Sequence, residues 1–295
     1  MTNEQYIDIG GIRTRYFEGG SGEPLLLLHG GNFGEQDNVD CANNWDLNWD
    51  ALARHFHVYA IDRLGQGYTD NPEPGQYTIE NIVAHVRGFI AAAGLKKLHL
   101  VGHSRGGYMA SRVTREDQDS VLTLTIVDSS TTSPKINTFR ERLRANQRQD
   151  RRGRESLAWI IEQFSYSPAL VTKEWMDVRE AIAKTEKNDR AVAEVAKIYD
   201  SEFLPGLQKN KDETLAWIKA GNLKSPTLLV WGKNDPSAVV EGGLELFDLV
   251  SASSPQTQMH IFNQAGHYCY REHPLAFAEV VTAFIHSAKY AAVAG

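Results

Sequence analysis

The chain has 295 residues, of which 42% are hydrophobic and 23% charged, and it carries a net charge of −6 at neutral pH. These proportions suit a soluble globular protein and exclude collagen-like and low-complexity chains. The acidic balance argues against a nucleic-acid binder, which has to neutralise phosphates with a basic face.

Residues 6–9 and 12–17 flank Gly10-Gly11 and predict a β-hairpin. The run 24–28 is continuously apolar, as a strand covered on both faces should be. Residues 58–61, 98–101, 122–127, 227–231 and 259–262 read the same way. Within 78–95, Ile79, Ile82, Val83, Val86, Phe89 and Ile90 fall at helical spacing, with Thr78 as N-cap and Gly94 as stop. Strands alternating with helices predict βαβ units and a largely parallel sheet; the hairpin makes it mixed. The stretch 134–224 breaks the alternation. It is polar and helical in composition, and predicts a helical insertion between core parts 1–133 and 225–295. It opens with Arg140, Arg142, Arg144, Arg148, Arg151, Arg152 and Arg154, read as a solvated helix face partly offset by Glu141, Asp150 and Glu155.

The strongest chemical signal is Gly102-His103-Ser104-Arg105-Gly106-Gly107. It follows a strand-like run and precedes a helical segment at 108–116, the setting of a nucleophile elbow. A turn this sharp strains the serine backbone, and glycines at 102 and 106 leave it room. The following helix aims its leading N–H groups at the site and favours developing negative charge. A serine alcohol needs a base to take its proton. His267, in Gln264-Ala265-Gly266-His267, sits just after the last strand-like run and is the expected base. His260, His273 and His286 lie in strand or helix patterns and are weaker candidates. The acid that orients the imidazole is expected at Asp235, with Asp128 as rival. An oxyanion needs donors. The backbone N–H of Arg105 is one. Gly31, or alternatively Asn32, supplies the other from His29-Gly30-Gly31-Asn32-Phe33-Gly34.

Cys41 and Cys269 cannot form a disulfide framework and are read as reduced thiols. The first ten residues carry no signal-peptide pattern, and the last ten no lipidation or retrieval signal. Apolar runs fall far short of the roughly 20 residues that a membrane span needs. A cytoplasmic enzyme is expected, with a small molecule as partner and neither nucleic acid nor membrane. A homodimer is compatible with the pattern. The cysteines and histidines show no zinc spacing, and no phosphate-loop or dinucleotide pattern is present, so neither metal nor cofactor is expected.

Together these residues resemble the α/β-hydrolase superfamily over nearly the whole chain. The turn Asp62-Arg63-Leu64-Gly65-Gln66-Gly67 adds to the likeness. The resemblance implies a mostly parallel eight-stranded sheet with a helical lid at the insertion. Branches with Asp at the elbow, the haloalkane dehalogenases and epoxide hydrolases, fit less well, because the residue here is Ser104. The chain looks most like hydrolases that cleave a carbon–carbon bond in ring-fission products of aromatic degradation. The Gly-rich loop at 29–34, the lid stretch 170–179 and the segment Gly266-His267-Tyr268-Cys269-Tyr270-Arg271-Glu272-His273-Pro274 carry that likeness. It implies that Arg179 meets the acidic end of the substrate and that Tyr268 lines its site. Arg179 has no carboxylate three or four residues away, so its guanidinium is expected to be free for a ligand or solvent. The chain departs from that family at His103 and Arg105, where Asn and a hydrophobic residue are usual, and at Tyr268, usually Trp.

The implied reaction is cleavage of a vinylogous diketone acid, either through an acyl-enzyme on Ser104 or through water that it positions. An esterase or lactonase using the same triad is the alternative. A ligand-sensing scaffold with the same fold is the reading from another class.

Overall fold

The computed structural model describes residues 1, 3–34, 39–135, 139, 143 and 153–294, with side chains as far as Lys289. Six of the seven arginines of the run lie outside them. The seventh, Arg154, pairs with Asp177 at 2.6 Å and Glu180 at 3.0 Å, not with Glu155.

One sheet of eight strands organises the chain: β1 Glu4–Ile9, β2 Ile12–Gly20, β3 Pro24–Leu28, β4 His57–Ile61, β5 Leu98–His103, β6 Val121–Val127, β7 Thr227–Gly232 and β8 Gln258–Phe262. Their order is β1-β2-β4-β3-β5-β6-β7-β8. β1–β2 and β2–β4 pair antiparallel, and every other neighbour is parallel. The mixed sheet with an antiparallel start is the predicted architecture. The strands extend the predicted apolar runs by up to three residues, because backbone pairing continues past the last apolar side chain.

Central strands are buried on both faces, and their side chains alternate between two cores. Leu25 and Leu27 point to one with Val58, Ala60, Val101 and Val230. Leu26 and Leu28 point to the other with Tyr59, Ile61, Leu100 and Leu229. Each such side chain contributes about 1.5–3 kcal/mol by leaving water. The first core is covered by α1 Asp46–Ala53 and α10 Pro274–Ala294, the second by α2 Ile79–Ala92, α3 Arg105–Glu116 and α8 Val240–Ser251. α2 begins where expected: Thr78 Oγ1 accepts from Asn81 N–H at 3.2 Å. It ends before Gly94, whose φ of +68° is left-handed.

Between β6 and β7 lie α4 Arg154–Phe164, α5 Lys173–Ala183, α6 Glu186–Ile198, a π-helical turn Tyr199–Phe203 and α7 Leu204–Lys219. They divide by contact. Leu157, Ile161, Phe164, Trp175 and Met176 join the first core, and Ala191, Val195 and Phe203 the second. α7 packs against α2, α3 and α8, so it sits in the helical layer beside the sheet. Among the described residues no helix is long and apolar enough to cross a membrane. Cys41 and Cys269 are both buried and unlinked.

Candidate active site

The sequence brings Ser104 to the carboxyl end of β5, at the first turn of α3. Its backbone lies at φ +53° and ψ −121°, a conformation that costs free energy in any residue but glycine. The turn closes so tightly that a Cβ on Gly102 would stand 2.2 Å from Gly106 O, and one on Gly106 would stand 2.2 Å from Leu28 O. The glycines are therefore steric necessities of the elbow. The strained serine is tied down as well: its N–H donates to Val127 O at 2.7 Å.

Three loops converge on it. His267 Nε2 is 2.9 Å from Ser104 Oγ, and His267 Nδ1 is 2.7 Å from Asp235 Oδ2. A carboxylate can only accept, so Nδ1 carries the proton and Nε2 accepts from the serine hydroxyl. The other Asp235 oxygen accepts from Ser237 N–H at 2.7 Å and Ala238 N–H at 2.8 Å, which locks the carboxylate. His267 is itself held by its backbone. Its N–H donates to Phe164 O at 2.8 Å, and its C=O accepts from His103 Nε2 at 2.7 Å. His103, buried and next to His267, has its pKa pushed well below the usual value, so it is a neutral donor here.

Asp128, the rival acid, has another task. It is fully buried, and its Oδ1 accepts from Gly232 N–H at 2.7 Å, a strap from the end of β6 to β7. It caps no helix. Burial and the nearby Asp235 charge raise its pKa well above the usual carboxylate range. His260 lies in β8 and His286 in α10, while His273 stacks on Phe262 with centroids 5.2 Å apart.

The loop after β3 runs beside Ser104: a Cβ on Gly30 would stand 3.1 Å from Ser104 Cβ. Its orientation is set by Arg63, whose part the sequence reading left unassigned. Arg63 Nη2 donates to Gly30 O at 2.6 Å and to Gly31 O at 2.8 Å. In a planar trans peptide the N–H points opposite the C=O. Holding those two carbonyls therefore fixes the directions of the Gly31 and Asn32 N–H groups, the two candidate donors. His29 braces the same turn. Its Nε2 accepts from Arg63 N–H at 3.2 Å, so its Nδ1 donates to Gly30 O at 2.9 Å. Burial, with Arg63 nearby, lowers the pKa of His29 to about 4, so it stays neutral. Arg105, the third candidate donor, is the first residue of α3, where helix N–H groups have no carbonyl partner within the helix.

Tyr268 sits beside His267, and Arg179 beside Trp175. Tyr268 is buried, with its ring 5.7 Å from that of His267 and 5.2 Å from that of Trp175. Arg179 is fully buried, and its Nη1 donates to Asp40 Oδ1 at 2.7 Å. The expectation of a free guanidinium fails here. The helix offers no carboxylate at i±3 or i±4, but the loop after β3 supplies one from 139 positions away. Asp40 itself escaped the sequence reading, because nothing local distinguishes it from a surface carboxylate. Among the described residues no group of three His, Cys, Asp or Glu side chains could hold a metal ion.

Comparison with known proteins places the chain in a family. The model of the α/β hydrolase fold matches residues 23–274. The chain is 28% identical over 291 residues to 2-hydroxy-6-oxo-6-(2'-aminophenyl)hexa-2,4-dienoic acid hydrolase of Metapseudomonas resinovorans, covering 96% of this chain and 90% of that one. It is 29% identical to 2-hydroxymuconate semialdehyde hydrolase of Pseudomonas sp. strain CF600, covering 96% and 94%. The meta-cleavage product hydrolase CumD of Pseudomonas fluorescens IP01 superposes with a TM-score of 0.78 at 24% identity, covering 96% of this chain and 98% of CumD, a likeness of fold. The chain is a member of the α/β-hydrolase family, and within it resembles the carbon–carbon bond hydrolases.

Proposed function

We propose that this chain is a serine-type hydrolase that cleaves a carbon–carbon bond beside a carbonyl group, in a vinylogous diketone of the kind that aromatic ring fission yields. One observation carries the reading: Ser104, His267 and Asp235 form a continuous hydrogen-bonded relay with steps of 2.9 and 2.7 Å. The relatives at 28% and 29% identity support the reaction class. In this reading His267 first moves a proton that turns the dienol into the ketone. Ser104, or a water that His267 activates, then attacks the distal carbonyl. The N–H groups of Arg105 and Gly31, with Asn32 as the alternative, hold the oxyanion. As the tetrahedral centre collapses, the carbon–carbon bond breaks. Its electron pair leaves as a dienolate, which takes the proton back from His267. Water releases the acyl fragment as an acid. No step calls on a metal or cofactor. In this reading α4, α5 and α6 form the lid, with α7 in the core layer, and Tyr268 contributes to the substrate pocket. A carboxylate end of such a substrate would have to displace Asp40 to reach Arg179.

A panel of yellow ring-fission dienols tests this, with loss of dienolate absorbance as the readout. Ser104→Ala is expected to lower kcat by about 10⁴-fold or more while leaving the thermal midpoint within a few degrees. Full turnover by that variant would exclude Ser104 from the chemical step. A carboxylesterase or lactonase is the second reading. The ion pair of Arg179 with Asp40 favours it, since an ester needs no cationic clamp. Faster cleavage of 4-nitrophenyl esters or lactones than of any diketone would decide for it.

A further inference from the structure

The loop that follows β3 ends its approach to the site at Asp40, which is 2% exposed. Asp40 Oδ1 accepts from Arg179 Nη1 at 2.7 Å and from Asn44 Nδ2 at 2.6 Å. Asn44 Oδ1 in turn accepts from Trp175 Nε1 at 3.0 Å, and the Arg179 guanidinium lies 5.1 Å from the centre of the Trp175 ring. The carboxylate is thus built into a closed network that joins the β3 loop to α5. Its other oxygen, Oδ2, faces the candidate oxyanion segment: a Cβ on Gly31 would stand 2.6 Å from it. On the far side, Trp175 touches Tyr268, which touches His267. The ion pair is therefore two rings, Trp175 and Tyr268, away from the base.

We infer that Asp40 fills the anion-binding position of this site from within, so that the substrate end facing Arg179 is uncharged. A buried guanidinium is an anion receptor, and here the chain supplies the anion itself. A substrate carboxylate brought to Arg179 meets a second carboxylate a few ångströms away, in a buried position where solvent screening is weak. Expelling Asp40 instead strands a buried carboxylate without its cation. Taking up a proton does not relieve the conflict. Burial alone would raise the Asp40 pKa, but the Arg179 charge holds it well below the usual carboxylate range. A ketone, ester, lactone or alkyl end meets a neutral, dipolar wall and pays neither penalty. Asp40 is thus the residue that selects the substrate by charge. This selectivity rests on the serine-hydrolase reading only for its kinetic consequence.

Two measurements test the inference. The first compares 4-nitrophenyl hexanoate with mono-4-nitrophenyl adipate, which differ by a terminal methyl against a carboxylate. Wild type is expected to favour the hexanoate by at least 50-fold in kcat/KM, and Asp40→Asn to narrow that ratio tenfold or more by gaining on the adipate. The second needs no turnover. Sodium acetate is expected to raise the thermal midpoint of Asp40→Asn by several degrees over sodium chloride at equal ionic strength, and to leave wild type unmoved. If Asp40→Asn folds only in acetate, that rescue is the same result. The double variant Asp40→Asn/Arg179→Met lacks the cation at this position and is expected to ignore acetate. Equal use of the two esters by wild type, or no acetate preference in Asp40→Asn, overturns the inference. If no ester is cleaved and acetate still stabilises Asp40→Asn, the hydrolase reading fails while the anion position stands.

Discussion

The two walls of the site are built in opposite ways. The Ser104 wall is local. β5, the glycine-bounded turn and α3 follow one another within residues 98–116, and their geometry comes from backbone pairing and from steric limits at Gly102 and Gly106. The Arg179 wall is assembled. Its cation stands on α5, its carboxylate ends the loop after β3, and the amide and indole that close the network come from Asn44 and Trp175. The first wall stays in place if any single surface charge is lost. The second is a charge balance, and changing one member leaves another buried and uncompensated. Reaction machinery on a rigid sheet edge beside a rearrangeable recognition wall explains how one fold serves many substrates.

The comparison can be broken at each wall. On the Ser104 side, Asp235→Asn is expected to lower kcat by about 10⁴-fold, because the imidazole loses the acceptor that fixes its tautomer. Asp128→Asn keeps an acceptor for Gly232 N–H and is expected to leave kcat within tenfold. If the two effects were reversed, Asp128 would be the acid. On the Arg179 side, a denaturant titration of the double-mutant cycle is the sharper tool. Asp40→Asn or Arg179→Met alone is expected to cost about 3–5 kcal/mol, and the double variant less than either single change, since neither charge is then left alone. Additive losses would mean that the pair is not coupled. The smallest effect tracks pH and involves three buried histidines: His29, His103 and, away from both walls on α2, His85. His29 and His85 are buried, and their pKa values fall to about 4, while burial and His267 push His103 well below its usual value. All three are neutral when folded and take a proton near pH 6.5 when unfolded. Above that pH both states are neutral. As pH falls through 6.5 the unfolded chain binds protons first, and stability drops. Between pH 7.5 and 5.5 the loss should be about 1.4 kcal/mol for each histidine. Unfolding curves at the two pH values measure it, and unchanged midpoints would mean that these histidines are charged in the fold.

How much of this could be read in advance follows from the same contrast. The elbow was legible because strand, turn and helix have different periods and meet within a few residues around Ser104. His267 and Asp235 were legible because the carboxyl ends of adjacent parallel strands, β7 and β8, bring their loops together. Arg63 and Asp40 were not. The value of each lies in what it faces. Arg63 holds carbonyls of a loop 32 and 33 positions away, and Asp40 a guanidinium 139 positions away. The error at Arg179 has the same origin, since helical spacing inspects only the helix's own partners.

Local sequence thus dictates the alternation of strands and helices, the turn at Ser104 and the loops that approach it. Each depends on hydrophobic period or on the steric freedom of glycine, which act over a few residues. Contacts across the fold decide which carbonyls Arg63 holds, that Asp128 straps β6 to β7, and that Arg179 arrives already paired with Asp40. Those outcomes depend on burial and on charge pairing across the fold. A buried ion pair is set by distance in space, to which spacing along the chain is no guide.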